Sequence, residues 1–247
     1  MGDVELGVGR RYEDLDLSAC NWSEADLTDA EFERCSFGAA QLQDVGLQNA
    51  RFRQCRFDGA RFASVDLREA RFDDCQFAHA NAKGVQFAFC RLEEARFARC
   101  ELSFARLERC EAYSLEMEGC NLRGATFLKV DFGRVFGRGR ALTSGALRSC
   151  NLELADLNAV RLPGCDLSGS SLRETVLYDA DLEGCDLRGC DLGQALTAGA
   201  KLARADLRQA QLAGLDLIQL ATRDDIKVSL DQAAVLLAGM GVDVHAG

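Results

Sequence analysis

Hydrophobic side chains along this chain recur neither at helical nor at strand spacing but at every fifth residue. From Leu17 to Leu217 a step of five visits 41 positions, and 35 of them hold Leu or Phe; the exceptions are Trp22, Ala82, Ala112, Met117, Gly137 and Thr197. Two residues before each lies a second series, from Leu15 to Leu215, filled mostly by Ala, Cys, Val, Ser, Thr or Gly, with Leu15, Leu115, Arg140 and Leu215 as misfits. An α-helix repeats at about 3.6 residues and a half-buried strand at 2. A period of five instead suits a short extended piece followed by a corner, with one large and one small side chain pointing inward and three polar residues facing water. Glycines two residues after the large position, such as Gly59, Gly84 and Gly164, suit corners that need φ > 0.

Ala25-Asp26-Leu27, Ala155-Asp156-Leu157 and Ala205-Asp206-Leu207 carry this spacing with an acidic residue between the small and the large one. In this the chain resembles the pentapeptide-repeat family over residues 15–217. The resemblance implies an all-β fold, a right-handed quadrilateral β-helix with four pentapeptides per coil. The 41 pentapeptides then make about ten coils, a rod of about 50 Å at about 4.8 Å per coil. Residues 1–14 read as an amino-terminal cap and 218–247 as a carboxyl-terminal capping and dimerisation segment.

Two stretches break the pattern. Residues 133–146, GRVFGRGRALTSGA, lose the large residue at Gly137 and put Arg140 at an inward position. The register modulo five survives, so either a bulged loop or two poorly filled pentapeptides would account for it; an unpaired inward arginine is costly to bury, which favours the loop. Arg134, Val135, Phe136, Arg138 and Arg140 are then candidates for contact with a partner. The flanks, Leu122–Phe127 and Asn151–Leu157, are similar to those of the larger loop in the Qnr family. Proteins of that family and of the related MfpA group bind type II topoisomerases and protect them from poisons. Phe77 to Phe87 keeps step, so no shorter upstream loop is expected.

At the other break, after Leu217, Ser229 and Gln232 form a capping box ahead of a helix that Gly241 can end. Leu230, Ala233, Ala234, Leu237 and Met240 follow at helical spacing. The segment resembles the Qnr carboxyl terminus, where such a helix makes a symmetric dimer, which implies a homodimer here. The plain alternative is a helix that only closes the open coil.

Composition then removes most chemistry. All twelve cysteines fall in the small inward series, where they interchange with Ala and Val as buried hydrophobes, and none forms a CxxC pair. His79 stands at an outward position and His245 in the tail, so neither has a partner for acid–base work. No nucleophile–base constellation, metal site or cofactor loop emerges, and the chain reads as a non-enzyme. The start, MGDVELGVGRR, has no apolar run, and no stretch approaches the roughly 18 apolar residues of a spanning helix. The expectation is a soluble cytoplasmic protein without a membrane partner.

Charge is uneven. The net value is −10, which argues against a nucleic-acid partner. Residues 1–50 hold 11 acidic and 3 basic side chains, 51–149 hold 13 and 18, and 150–217 hold 11 and 6. A tail-to-tail dimer would place −14 at its centre from residues 150–247 of both chains. That is about half the density of DNA, which carries about 29 charges over about 50 Å. Asp156, Asp166, Asp181, Asp186, Asp191, Asp206 and Asp216 are the candidate acidic surface, although aspartate there is also the repeat's own preference. The resemblance implies a DNA-mimicking protein that binds DNA gyrase or topoisomerase IV and protects it from quinolones or natural gyrase poisons. A scaffolding rod with another partner is the alternative.

Overall fold

The computed structural model describes residues 5–78, 84–136 and 140–243; His79, Ala82, Gly137, Arg138 and His245 lie outside them. The chain winds into a right-handed β-helix with four walls. Each turn bonds in parallel to the one below, as in Asp16↔Ser36, Ser36↔Arg56 and Asp26↔Gly46. The first wall carries a seven-stranded parallel sheet from Arg11–Glu13 to Gly145–Arg148. The third wall carries a five-stranded one from Gln41–Gln43 to Thr126–Leu128.

The interior is the two inward series. The large residues stack in files: Phe32, Phe52, Phe72 and Phe97 lie face to face at 4.6–4.8 Å, and Phe37, Phe57 and Phe77 at 4.5 and 4.7 Å. Parallel coils put like over like, so one ring repeated at one position forms its own offset stack. Each fully buried Leu or Phe contributes roughly 1.5–3 kcal/mol of hydrophobic stabilisation. The cysteines are all free, and eleven are buried. Cys35, Cys55, Cys75, Cys100, Cys120 and Cys150 stand above one another ahead of the second wall. Their thiols donate to main-chain carbonyls of the first wall, as Cys55 to Phe32 and Cys120 to Phe97. Ser170 continues the file with its hydroxyl on the Leu147 carbonyl at 2.6 Å. Burial pushes the Cys165 and Cys190 thiols up to about 12, so they stay protonated.

The expectation of no upstream excursion is corrected. Below residue 66 the ladder advances by 20 residues, but Asp66 pairs with Arg91 and Gln76 with Glu101, 25 residues on. The chain between Phe77 and Phe87 is therefore five residues longer than the regular coil needs, and residues 79–83 lie outside the described residues. An insertion of five leaves the five-residue register intact and is invisible to it. At residues 133–146 the same arithmetic applies with ten residues, since Asn121 pairs with Asn151 and Asp131 with Arg161. The excess forms an antiparallel hairpin, Gly133–Phe136 against Arg140–Thr143. Ser144 already returns to the rod, its N–H on the Phe132 carbonyl at 3.2 Å.

Gly84 is also corrected. The other corner glycines named above do adopt positive φ, but Gly84 does not; a Cβ there would stand 2.2 Å from the Phe104 carbonyl carbon and oxygen. Close backbone approach, rather than handedness, demands the glycine.

The rod also reaches past both sequence boundaries. Tyr12 is the first stacked ring, 4.9 Å from Phe32, and its hydroxyl ties back to the Glu5 carbonyl and the Gly7 N–H. Beyond Leu217 the ladder slips by one residue and continues, Lys201 pairing with Thr222 and Asp206 with Lys227. The helix Leu230–Gly239 then closes the end. Ser229 donates from both N–H and Oγ to Gln232 Oε1, while Gln232 Nε2 donates to the Leu207 and Ala210 carbonyls at 2.7 and 2.6 Å. One glutamine side chain thus starts the helix and satisfies two carbonyls of the last coil.

Candidate functional site

The hairpin leaves the fourth wall after Phe132 and rejoins the first at Gly145. Asp131 fixes its exit, its Oδ1 accepting the Gly133 N–H at 2.8 Å. Arg134 lies over the Tyr113 ring, 5.8 Å from its centroid, and 4.0 Å from Glu94; this cation–π seat braces the first strand against the rod. Val135 is 69% exposed at the outer edge. Phe136 and Arg140 are backbone partners at the far end of the hairpin, and Arg138 is outside the described residues. At the base a cleft is lined by Arg91, Glu93, Glu111, Tyr113, Arg134 and Arg161, among others. Within it Arg91 reaches Glu93 at 3.4 Å and Glu111 at 3.5 Å. Mixed charge of this kind suits recognition of a polar protein surface.

The seven aspartates do not form one surface. Asp166, Asp186 and Asp206 stack on the first wall, and Asp191 lies on the second. Asp156 and Asp216 are on the third, separated by Val176 and Leu196. Asp181 sits on the fourth between Arg161 and Lys201. The cause is the coil itself: residues five apart face four directions. Each carboxylate also accepts the N–H two residues on, as Asp166 from Ser168 and Asp206 from Arg208, which is a turn-closing role. Five of the seven have a cation within 4 Å: Arg148 at Asp166, Lys201 at Asp181, Arg188 at Asp186, Arg173 at Asp191 and Arg208 at Asp206.

The acidic excess lies elsewhere. Between Asp26 and Asp225, the hairpin aside, the fourth wall and its following corner carry twelve acidic and six basic side chains, whereas the first wall and its corner carry nine of each. Period-five reading missed this, because only the 20-residue coil, corrected for the two excursions, assigns a residue to a wall.

At the carboxyl end Gln232 and Leu236 face the rod and are buried. Of the candidate interface residues Leu230, Ala234, Leu237 and Met240 are exposed, Leu230 at 91%, and Ala233 is half-buried. The structure therefore leaves an apolar face of the helix uncovered.

Models of pentapeptide repeats match residues 75–111, 100–135, 150–189 and 185–219, and a pentapeptide repeat region model matches 25–88. The chain belongs to the pentapeptide-repeat family. Among solved structures the rod is similar to QnrB1, a plasmid-mediated fluoroquinolone resistance protein. A trypsin-treated variant of it aligns at TM-score 0.69 and 23% identity, covering 96% of this chain and 99% of that one. The full-length form gives 0.65 and 23%, with 96% and 97% covered. HetL, a pentapeptide-repeat protein involved in heterocyst differentiation regulation in the cyanobacterium Nostoc sp. strain PCC 7120, aligns at 0.52 and 21%, covering 89% and 85%. At these identities the likeness concerns the fold. No curated protein matches the chain in sequence. Among the described residues no group of three or more His, Cys, Asp or Glu side chains is placed to hold a metal, and no helix is long and apolar enough to cross a membrane.

Proposed function

We propose that this rod is a non-catalytic interaction protein that binds a type II topoisomerase, DNA gyrase or topoisomerase IV, in the cytoplasm and protects it from quinolones or natural gyrase poisons. The observation that carries the reading is the hairpin at 133–143, a projection braced against the rod. Projections on rigid solenoids are where partner specificity is added. The likeness of the whole rod to a fluoroquinolone resistance protein supports it.

In this reading the acidic fourth wall, rather than the seven scattered aspartates taken together, supplies the DNA-like charge, and Val135 and Arg134 make the specific contact. Two rods joined through the exposed face of the carboxyl helix would present two such walls. The dispersal of the aspartates and the pairing of five of them with arginine or lysine favours one alternative, a scaffolding rod with a different protein partner.

A gyrase cleavage assay decides between them. Micromolar protein is expected to lower quinolone-stabilised cleavage. Replacing 134–143 by a direct Gly133–Ser144 link is expected to abolish that protection while leaving the β circular dichroism and melting temperature within a few degrees of wild type. Absence of any effect of the intact protein on gyrase and topoisomerase IV at tenfold excess rules the topoisomerase reading out.

A further inference from the structure

The third wall carries a feature that neither the hairpin nor the carboxyl helix uses. The position just before each large residue is polar or small along the ladder, with two exceptions, Val176 and Leu196, and these two are stacked directly on each other. Neither can offer the acceptor with which Asp156 and Asp216, below and above them, close their turns on the Asn158 and Ile218 N–H groups. Two turn-closing hydrogen bonds are forgone for exposed apolar surface. Tyr178 and Ile218 extend the patch on the same wall, and Leu154 lies at the adjoining corner; they are 41%, 64% and 42% exposed, and Leu196 is 43%. A stripe with no role in the core and at the expense of the turns is a recognition surface.

Its surroundings say what it recognises. From Asp156 to Gln219 the wall carries no cation, and the acidic side chains on it are Asp156, Asp179 and Asp216. A second copy does not fit. A twofold pairing centred between the Val176 and Leu196 rows would set Asp156 of one copy against Asp216 of the other. The few side chains involved also fall short of the roughly 800 Å² per partner of a stable interface. From Asp156 to Leu196 the main chain of the wall is already paired with the coils above and below, so no strand can add along it. The rows lie about 4.8 Å apart, close to the roughly 5.4 Å pitch of a helix, and the stripe spans about 15 Å, or about ten helical residues.

We infer that the third wall, through Val176, Tyr178, Leu196 and Ile218, is a docking site for a short amphipathic helix of a partner protein whose apolar face is flanked by lysine or arginine. This site is independent of the topoisomerase reading and survives its failure.

The test uses the full chain and two fluorescent 15-residue helical peptides, with leucines at positions i, i+3, i+4 and i+7 and either lysine or glutamate elsewhere. Fluorescence anisotropy is expected to show binding of the lysine peptide, at least tenfold weaker for Val176→Asp/Leu196→Asp. That variant restores the repeat's own turn-closing aspartates, so its melting temperature should equal or exceed that of wild type. General attraction of a basic peptide to an acidic protein would grow, not shrink, in it. If the double variant loses its fold, Ile218→Ser is measured in its place. Undiminished binding by the variant, equal binding of the glutamate peptide, no binding to wild type, or a wild-type dimer that the variant dissolves in light scattering would each overturn the inference.

Discussion

At the scale of single residues, the repeat's aspartate serves the chain before it serves any partner. Asp206 accepts the Arg208 N–H through Oδ1 and the Arg208 guanidinium through both oxygens. That hydrogen bonding holds its carboxyl down at about 2, against about 3.9 in an unfolded chain. Because the folded value is depressed, the pair stabilises above about pH 4 and its contribution is lost as pH falls toward 2. Asp206→Asn keeps the turn acceptor and removes only the charge. It is expected to cost less than about 1 kcal/mol at pH 7, since a solvent-screened pair contributes little. Urea titrations at stepwise lower pH should show the difference from wild type closing between pH 4 and 2; a constant difference would assign the effect to the amide rather than to the charge.

At the scale of elements, the two ends of the rod and the hairpin are where regular stacking needs help. The carboxyl helix is joined to the last coil by Gln232, whose amide meets two main-chain carbonyls, and by the buried Leu236. Gln232→Met is close in size but leaves those carbonyls unpaired. A loss of about 1–3 kcal/mol is expected, together with faster amide exchange over 201–228, measured by hydrogen exchange; unchanged protection there would mean that the helix does not secure the coil. The files of like residues also held an unread signal for both excursions. Cysteines step by 20 from Cys35 to Cys55 to Cys75, then by 25 to Cys100 and, after Cys120, by 30 to Cys150. Those surpluses of five and ten match the 25- and 30-residue steps of the ladder.

At the scale of the whole molecule, the question is what the uncovered helix face does. Leu230, Leu237 and Met240 are large apolar side chains in water at one end of a rod of about ten coils, and burying them against a second copy would join two rods end to end. Leu237→Glu is expected to turn a dimer into a folded monomer in multi-angle light scattering; a wild-type monomer, or a dimer that the variant leaves intact, removes this helix from any interface.

The fold was legible because its cause is local and repeated: a large and a small inward residue every five positions define the coil wherever they occur, and tolerance of Ala, Cys or Val at the small position explains the cysteines without invoking chemistry. What surrounds the core was not legible in the same way. A five-residue period does not say which of four walls a residue faces, and insertions of five or ten residues leave it unchanged. The sequence by itself therefore determined the buried half of this protein, the inward files and the helical cap. Only the tertiary structure decided the outward half: that the seven aspartates scatter over four walls, that acid gathers on the fourth, and that Val176 and Leu196 meet on the third. Stacking, which acts between residues 20, 25 or 30 apart, makes those neighbours.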